Sequence, residues 1–369
     1  MTKVVCLGGS IAGLHVAKFL LSSGLDVDVE VLERKPKIGY RIVCAGGISS
    51  FMIRKLKLYI PNEFVASKVK RVRFYGPTFD FAELNFEKEY GLVLWRARWE
   101  SWLGEQVREL GGRIYTGVRN PYERLKEADV IVGTDGIAGI SRRLVGKPFP
   151  EEDVHIAVQA VGKARVADEE AISLYFGRQT APEGYAWTFP LPGSQFRIGL
   201  GVPLRYSSKL FSFFKKFLVN IDGEIKGKPG AKLIPTAYPE KTLVSTFMGT
   251  PIAFVGDAGL QTDPSTGGGI GPAILGAKCL AEALSRGELK HYDRLWRKEL
   301  YRRNRQRYKL KQVLCEMNDG DWELIIEELR DFEPFTESIG WALLQLILKV
   351  AFSNPSFLVR HKLLRRILF

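Results

Sequence analysis

Four features of this 369-residue chain have the residue types and the order to hold one large anion. The first is the turn Gly8-Gly9-Ser10-Ile11-Ala12-Gly13, set between an apolar run at residues 4–7 and a helical pattern at residues 14–21. Glycines there let a pyrophosphate approach the backbone, and the helix start supplies N–H groups and a partial positive charge. Ser10 takes the place of the middle glycine and is still small. Residues 27–32 read as a second strand, and Glu33 follows, twenty positions after Gly13. An acid at that spacing accepts a hydrogen bond from a ribose 2′-hydroxyl. The other features are Arg96 at the end of a strand-like run, Asp135-Gly136 at the end of another, and Gly256-Asp257 before a glycine loop. Arg96 can neutralise pyrophosphate, and Asp257 can bind a sugar-alcohol hydroxyl. The N–H groups of Gly268, Gly269 and Ile270 open a helix and can face a developing oxyanion.

The elements that must position these residues alternate between strand and helix. Strands are expected at residues 92–96, 113–118, 128–133 and 251–258. A helix at residues 99–110 places Trp99, Leu103, Val107 and Leu110 on one face, with Gly111-Gly112 as its cap. Another spans residues 272–285, with Pro272 in its first turn. Residues 68–75 and 79–86 read as an antiparallel strand pair inserted into a second sheet. Residues 154–165, 171–176, 186–190 and 196–202 continue that sheet. An aromatic-rich helix follows at 210–219, and the glycine-rich stretch 225–232 reads as a loop. Beyond residue 285 the chain is helical and basic, with apolar stretches at 339–352 and 357–369. The expected organisation is a discontinuous nucleotide-binding domain (1–65, 91–150 and 240–285), a substrate domain (66–90 and 151–239) and a helical C-terminal region (286–369).

Bulk properties narrow the partners. Hydrophobic content of 46% and charged content of 26% are ordinary for a globular protein. Cys6, Cys44, Cys279 and Cys315 are widely spaced, as are the four histidines, so neither a disulfide framework nor a metal site is expected. Free thiols suit a reducing cytoplasm. No apolar stretch is long enough to span a bilayer, and the chain runs from Met1 straight into its first strand, which leaves no room for a signal peptide. A cytoplasmic protein, peripheral on the membrane, is the expectation. The net charge of +13 implies an anionic partner: nucleic acid, a membrane surface or an acidic substrate. No nucleic-acid motif is present, so nucleic acid is not expected. The basic, apolar C-terminal segment reads as a helical cap over the core, as a membrane-surface patch, or as both.

The ordered glycine turn, D-G and late G-D motifs resemble those of the p-hydroxybenzoate hydroxylase flavoprotein family, over roughly residues 1–285. That resemblance implies an α/β fold with a Rossmann-type FAD-binding domain, an inserted antiparallel-sheet substrate domain over the flavin and a helical C-terminal segment. It implies FAD held by Gly8, Gly9, Ser10, Ala12, Gly13, Glu33, Arg34, Arg96, Val118, Asp135, Gly136, Asp257, Gly268, Gly269 and Ile270. Within the family the chain is most similar to geranylgeranyl reductases. Pro182-Glu183-Gly184-Tyr185-Ala186-Trp187-Thr188-Phe189-Pro190 is similar to their P-x-x-Y-x-W-x-F-P substrate motif. Strand alternation puts Tyr185, Trp187 and Phe189 on one face, as the wall of a substrate pocket. Cys44-Ala45-Gly46-Gly47 resembles their cysteine–glycine segment beside the flavin, which adds Cys44, Ala45 and Gly47 to the cofactor set. Val255-Gly256-Asp257-Ala258 with Pro264-Ser265-Thr266-Gly267-Gly268-Gly269-Ile270 is similar to their G-D-A and P-x-T-G-x-G-I segments. Gly259-Leu260-Gln261-Thr262 departs from the usual Ala-Gly-rich stretch and leaves the exact substrate open.

The resemblance implies saturation of isolated carbon–carbon double bonds in isoprenoid chains of lipid precursors, with hydride from reduced FAD. Each buried methylene is worth about 0.8 kcal/mol, so an apolar aromatic slot suffices to hold such a chain. Cys44, Tyr185 and Trp187 are the candidate catalytic residues. Tyr185, Cys44 and a water are alternative proton sources, and Cys44 reads equally as a small buried apolar residue. The electron donor, NADPH, ferredoxin or another, is not readable. The alternatives are a flavin-dependent monooxygenase or halogenase on the same fold, and a non-catalytic flavoprotein that binds prenyl lipid. Halogenases carry W-x-W-x-I-P where this chain has Tyr185-Ala186-Trp187-Thr188-Phe189-Pro190, which favours the reductase.

Overall fold

A computed structural model of the chain describes residues 1–165, 167–330, 339–354, 357, 360 and 361. They form two compact units, each assembled from three stretches of chain. Residues 1–42, 95–151 and 234–305 make the first; residues 43–94, 152–233 and 306–369 contribute to the second.

The first unit is built on a six-stranded sheet. Its order is Val244–Phe247, Thr250–Phe254, Val130–Gly133, Thr2–Leu7, Val27–Glu33, Arg113–Thr116. All neighbours are parallel except the first two, which form a hairpin. Val4, Val5 and Cys6 are wholly buried, as the unbroken apolar run requires of a covered parallel strand. Val5, Leu7, Ile131, Ile252 and Phe254 gather into one core cluster with Leu125. Helix Ile11–Leu21 packs against helix Ile270–Ser285 and along the first two strands. Its buried His15 lies edge-on to Trp99, and Nδ1–H donates to Ile11 O at 2.8 Å. Arg142 is also buried. It donates to Ala258 O at 2.9 Å and pairs with Glu240 at 2.8 Å, which supplies the partner a buried charge needs.

The second unit holds a seven-stranded sheet ordered Gly223–Pro235, Val154–Ala164, Gln195–Pro203, Tyr185–Leu191, Ala171–Tyr175, Arg71–Tyr75, Phe81–Asn85. Helix Leu210–Asn220 covers one face with Leu210, Phe214 and Phe217, against Val158, Ile198 and Leu200. A small sheet of Gly47–Ser49, Gly91–Leu94 and Val65–Val69 belongs to the same unit.

The α/β class agrees with the sequence, and several details differ. Residues 225–232 are not a loop: they lie in Gly223–Pro235, an edge strand whose exposed Lys226, Lys228 and Lys232 hid its pattern. Lysines are a usual guard on such edges. The single strand expected at 68–75 is two strands in two sheets, broken at Lys70. Ala171–Tyr175 runs parallel to Arg71–Tyr75, so the substrate sheet is mixed rather than antiparallel throughout. Residues 43–65 and 91–94 group with the second unit, because Gly47–Ser49 and Val65–Val69 both pair with Gly91–Leu94. The C-terminal region divides, with 286–305 in the first unit and 306–369 in the second. The apolar stretch at 339–352 is helix Ile339–Ser353, whereas most of 357–369 lies outside the described residues. Among the described residues no helix is long and apolar enough to cross a membrane, and no group of side chains could hold a metal.

Burial lowers the His15 imidazole to about 4, and does the same to His155. Below about pH 6.5 the unfolded chain takes up a proton at each position that the folded chain refuses until about pH 4. The unfolded state therefore binds more protons across that window, and stability falls as pH drops through it. The free energy of urea unfolding should decline from pH 7 to pH 4, by on the order of 3 kcal/mol from His15 alone. His15→Gln should lose that share of the slope; an unchanged slope in the variant would remove His15 as its source.

Candidate functional site

In the first unit, Gly8 leaves its strand with φ of 110°, and Ser10 enters the helix in an extended conformation. Gly13 packs directly on the turn. A Cβ there would stand 2.0 Å from Gly8 O, so only glycine closes it. Glu33 turns back toward the same place. Its carboxylate accepts from Gly9 N–H at 2.8 Å and from Lys35 N–H at 2.8 Å. These two bonds hold an acid at the turn, where a ribose reading needs it. Arg34 beside it is exposed, and Val118 N–H donates to Glu33 O at 3.0 Å.

The later motifs reach the same turn. The inner side of Gly8 abuts Thr134 O and Asp135 Cα, and Thr134 Oγ1–H donates to Leu7 O at 2.8 Å. Asp135 is engaged within its own loop, where its carboxylate accepts from Ser141 N–H at 2.9 Å and from the Ser141 hydroxyl. Burial raises its pKa above the usual aspartate value. Ala12 lies against Gly256 on the buried side of the turn. Asp257 follows in the short turn Gly256–Gly259, accepts from Thr262 Oγ1–H at 3.0 Å, and stands beside Gly269 at the start of helix Ile270–Ser285. The first N–H groups of that helix have no partner within it. Arg96 is not at a strand end. It opens helix Arg96–Glu109, beyond Trp95, and pairs with the buried Glu100 one turn later.

A polar network missed in the sequence fixes this corner. Gln261 is fully buried; its Oε1 accepts from Gly256 N–H at 2.7 Å, and its Nε2 donates to Tyr292 OH at 2.9 Å. Tyr292 OH donates on to Phe254 O at 2.8 Å. Asn304 Nδ2 donates to Gln261 O and Thr262 O, each at 3.1 Å. The residues that depart from the family pattern thus pin the turn carrying Asp257 from behind. Together the glycine turn, the two acids and the helix start fit an extended dinucleotide such as FAD.

In the second unit, the remaining candidates come together. Tyr185, Trp187 and Phe189 share the face of strand Tyr185–Leu191 opposite helix Leu210–Asn220, as alternation predicts. Trp187 lies flat on the neighbouring strand because its cross-strand partner is Gly199, where a Cβ would stand 2.5 Å from the indole. Trp187 Nε1–H donates to Gln159 Oε1 at 3.2 Å, and Gln159 Nε2 donates to Cys44 O at 3.1 Å. Next along, Arg197 donates to Ala45 O at 2.6 Å and to Leu94 O at 2.9 Å. A Cβ on Gly47 would meet the Phe189 ring at 2.7 Å. The Cys44–Gly47 segment is therefore laid on the aromatic face and clasped by Gln159 and Arg197. The Cys44 Sγ accepts from Gly46 N–H at 3.3 Å.

Two further rings extend the wall. Tyr185 lies 5.7 Å from Trp187 and 5.9 Å from Phe176, which stacks on Trp322 at 4.1 Å. Phe176 was legible as the next residue on the Ile172–Leu174 face. Trp322 comes from helix Asp319–Leu329, and no local pattern marks it.

Removing either acid from the first unit tests the cofactor assignment. Glu33→Ala and Asp257→Ala should each purify with less flavin, and rebinding of FAD, followed by flavin fluorescence, should weaken about tenfold, as for one charge-assisted hydrogen bond. Wild-type flavin content in both variants would count against the assignment.

Comparison with known proteins agrees with this geometry. Residues 153–230, most of the second unit's large sheet, match the geranylgeranyl reductase catalytic domain. Digeranylgeranylglycerophospholipid reductase 2 of Methanothermobacter thermautotrophicus is 28% identical over 359 residues, covering 88% of this chain and 91% of that protein. A crystal structure of a geranylgeranyl bacteriochlorophyll reductase-like protein from Thermoplasma acidophilum has the same fold, with a TM-score of 0.85, 22% identity and 100% of each chain covered. The fold also extends to Klebsiella pneumoniae HpxO, solved with FAD and uric acid, at a TM-score of 0.63 and 15% identity, over 94% of this chain and 97% of that one. The P-x-x-Y-x-W-x-F-P strand, the match over residues 153–230 and the full-length relatives agree: the chain is similar to the geranylgeranyl reductases along most of its length.

Proposed function

We propose that this protein is an FAD-dependent reductase that saturates carbon–carbon double bonds in geranylgeranyl chains of membrane lipid precursors. The observation that carries this reading is the wall of the second unit. Trp187 lies flat over Gly199, continuous with Tyr185, Phe176 and Trp322. Tyr185 and Phe189 are its half-buried rings, and Trp187, Phe176 and Trp322 back them from the buried side; such an apolar lining suits a methyl-branched hydrocarbon and leaves a polar ring unsatisfied.

When bound, reduced FAD supplies the hydride that an unactivated double bond needs. The chain's own residues do the rest. Glu33 and Asp257 anchor the cofactor's hydroxyl groups, and the turn at Gly8–Gly13 receives its pyrophosphate. Tyr185 and Trp187 hold the prenyl chain flat and keep water from it. Tyr185 OH and Cys44 Sγ are the groups able to deliver a proton on that face. The protein acts from the membrane surface, since its substrate resides there.

Anaerobic incubation of dithionite-reduced protein with a geranylgeranyl lipid is the direct test. Flavin reoxidation with a gain of two hydrogens per double bond is expected. Hydroxylated or halogenated product formed only with oxygen would replace this reading with the monooxygenase one. Gly199→Val should displace the Trp187 ring and cut lipid turnover by about a hundredfold, the scale set by misplacing a bound substrate by about 1 Å, while flavin content stays at the wild-type level. Full turnover in Gly199→Val would mean that the wall does not position the chain.

A further inference from the structure

We infer that the segment from Ser50 to Ile60 is the surface by which the protein docks on an anionic lipid bilayer. This rests on the lipid-reductase reading for its logic, but its geometry stands apart from the site. Helix Ser50–Leu56 buries Met52 and Leu56, one turn apart, in the second unit. Its other side carries Phe51, Arg54 and Lys55, all exposed and spaced three and four residues apart. Lys57 ends the helix in the left-handed conformation, which turns the chain sharply. Leu58 and Ile60 follow half-exposed, and Tyr59 between them is 79% exposed.

Two exposed aromatics beside three basic side chains are poor use of a surface that faces only water. They suit an interface in which aromatic rings settle at headgroup depth and cations meet phosphate. Charge complementarity is the stronger argument. From Arg34 to Asn62 the chain has seven basic residues and no acidic one, between Glu33 and Glu63. Three of the seven, Arg54, Lys55 and Lys57, fall within this segment. Among the described residues no helix is long and apolar enough to cross a membrane. The segment also begins three residues after Gly47, the residue packed on Phe189. Docking there brings the bilayer to the end of the strand that the aromatic wall holds.

Co-sedimentation with vesicles tests the assignment. The flavin-loaded protein should bind vesicles of phosphatidylglycerol and phosphatidylcholine in equal parts, and bind pure phosphatidylcholine weakly. Binding should fall as salt rises through 0.5 M. Arg54→Glu/Lys55→Glu should weaken it at least tenfold, at roughly one unit of binding energy lost per charge near the surface. Phe51→Ser/Tyr59→Ser should weaken it at both low and high salt. Both double variants are expected to keep wild-type flavin content and wild-type turnover of detergent-dispersed lipid, and to lose turnover of lipid in vesicles. Wild-type vesicle binding by both variants, or no vesicle binding by the wild-type protein, would overturn the inference. Vesicle binding that fails in the variants, with no lipid saturation by any form, would leave the docking surface standing and sink the reductase reading instead.

Discussion

A buried guanidinium holds the second unit together at the place where function is expected. Arg197 is only 8% exposed, and donates to the carbonyls of Ala45 and Leu94. A charge at that depth is tolerated only where acceptors surround it, and here two backbone carbonyls supply them. One side chain thereby joins the large sheet to the Cys44–Gly47 segment and to the small sheet's end at Leu94. Gln159 repeats the device one strand over, between Trp187 and Cys44 O. Backbone geometry around Cys44 is therefore set by side chains from the sheet, and the flat seating of Trp187 is set by the same polar pair.

The first unit solves its positioning problem in a parallel way. Asp257 sits on a turn too short to hold itself. Gln261 ties that turn's Gly256 N–H to Tyr292, and Asn304 ties the following carbonyls. Both partners come from beyond residue 285. Residues 286–305 are thus part of the nucleotide unit rather than a separate cap, and truncating the chain after helix Ile270–Ser285 would leave buried amides unpaired.

What could be read from the sequence followed from periodicity and from glycine. The parallel strands were plain because both faces are covered, and the Tyr185–Phe189 face was plain because alternation is fixed by the pleat. The edge strand Gly223–Pro235 was not, since its lysines and glycines carry a loop's composition for a reason that exists only at a sheet edge. Gln159 and Arg197 each left a faint mark, a lone polar residue within an apolar strand. Gly199 left another, as a glycine inside a strand marks close approach. None of these marks names its partner, because the pairing spans from 12 residues, for Gly199 with Trp187, to 152, for Arg197 with Ala45. Arg96 was misplaced for a local reason: the strand stops at Leu94, and an arginine is as good a helix opener as a strand end.

The departure at Gly259–Thr262 then has a different meaning from the one its position in the motif implied. It left the substrate open when only the pattern was in view. In the fold, Gln261 and Thr262 touch Gly256, Asp257, Tyr292 and Asn304, all in the first unit. A change there alters how firmly Asp257 and its turn are held. On the proposed reductase reading, selection among prenyl chains rests on the aromatic face, whose attraction is non-directional and scales with area. On that reading Gly199 beneath Trp187 and Gln159 at its indole nitrogen seat the ring that meets the chain, and so shape the face that Tyr185 and Trp187 present to it.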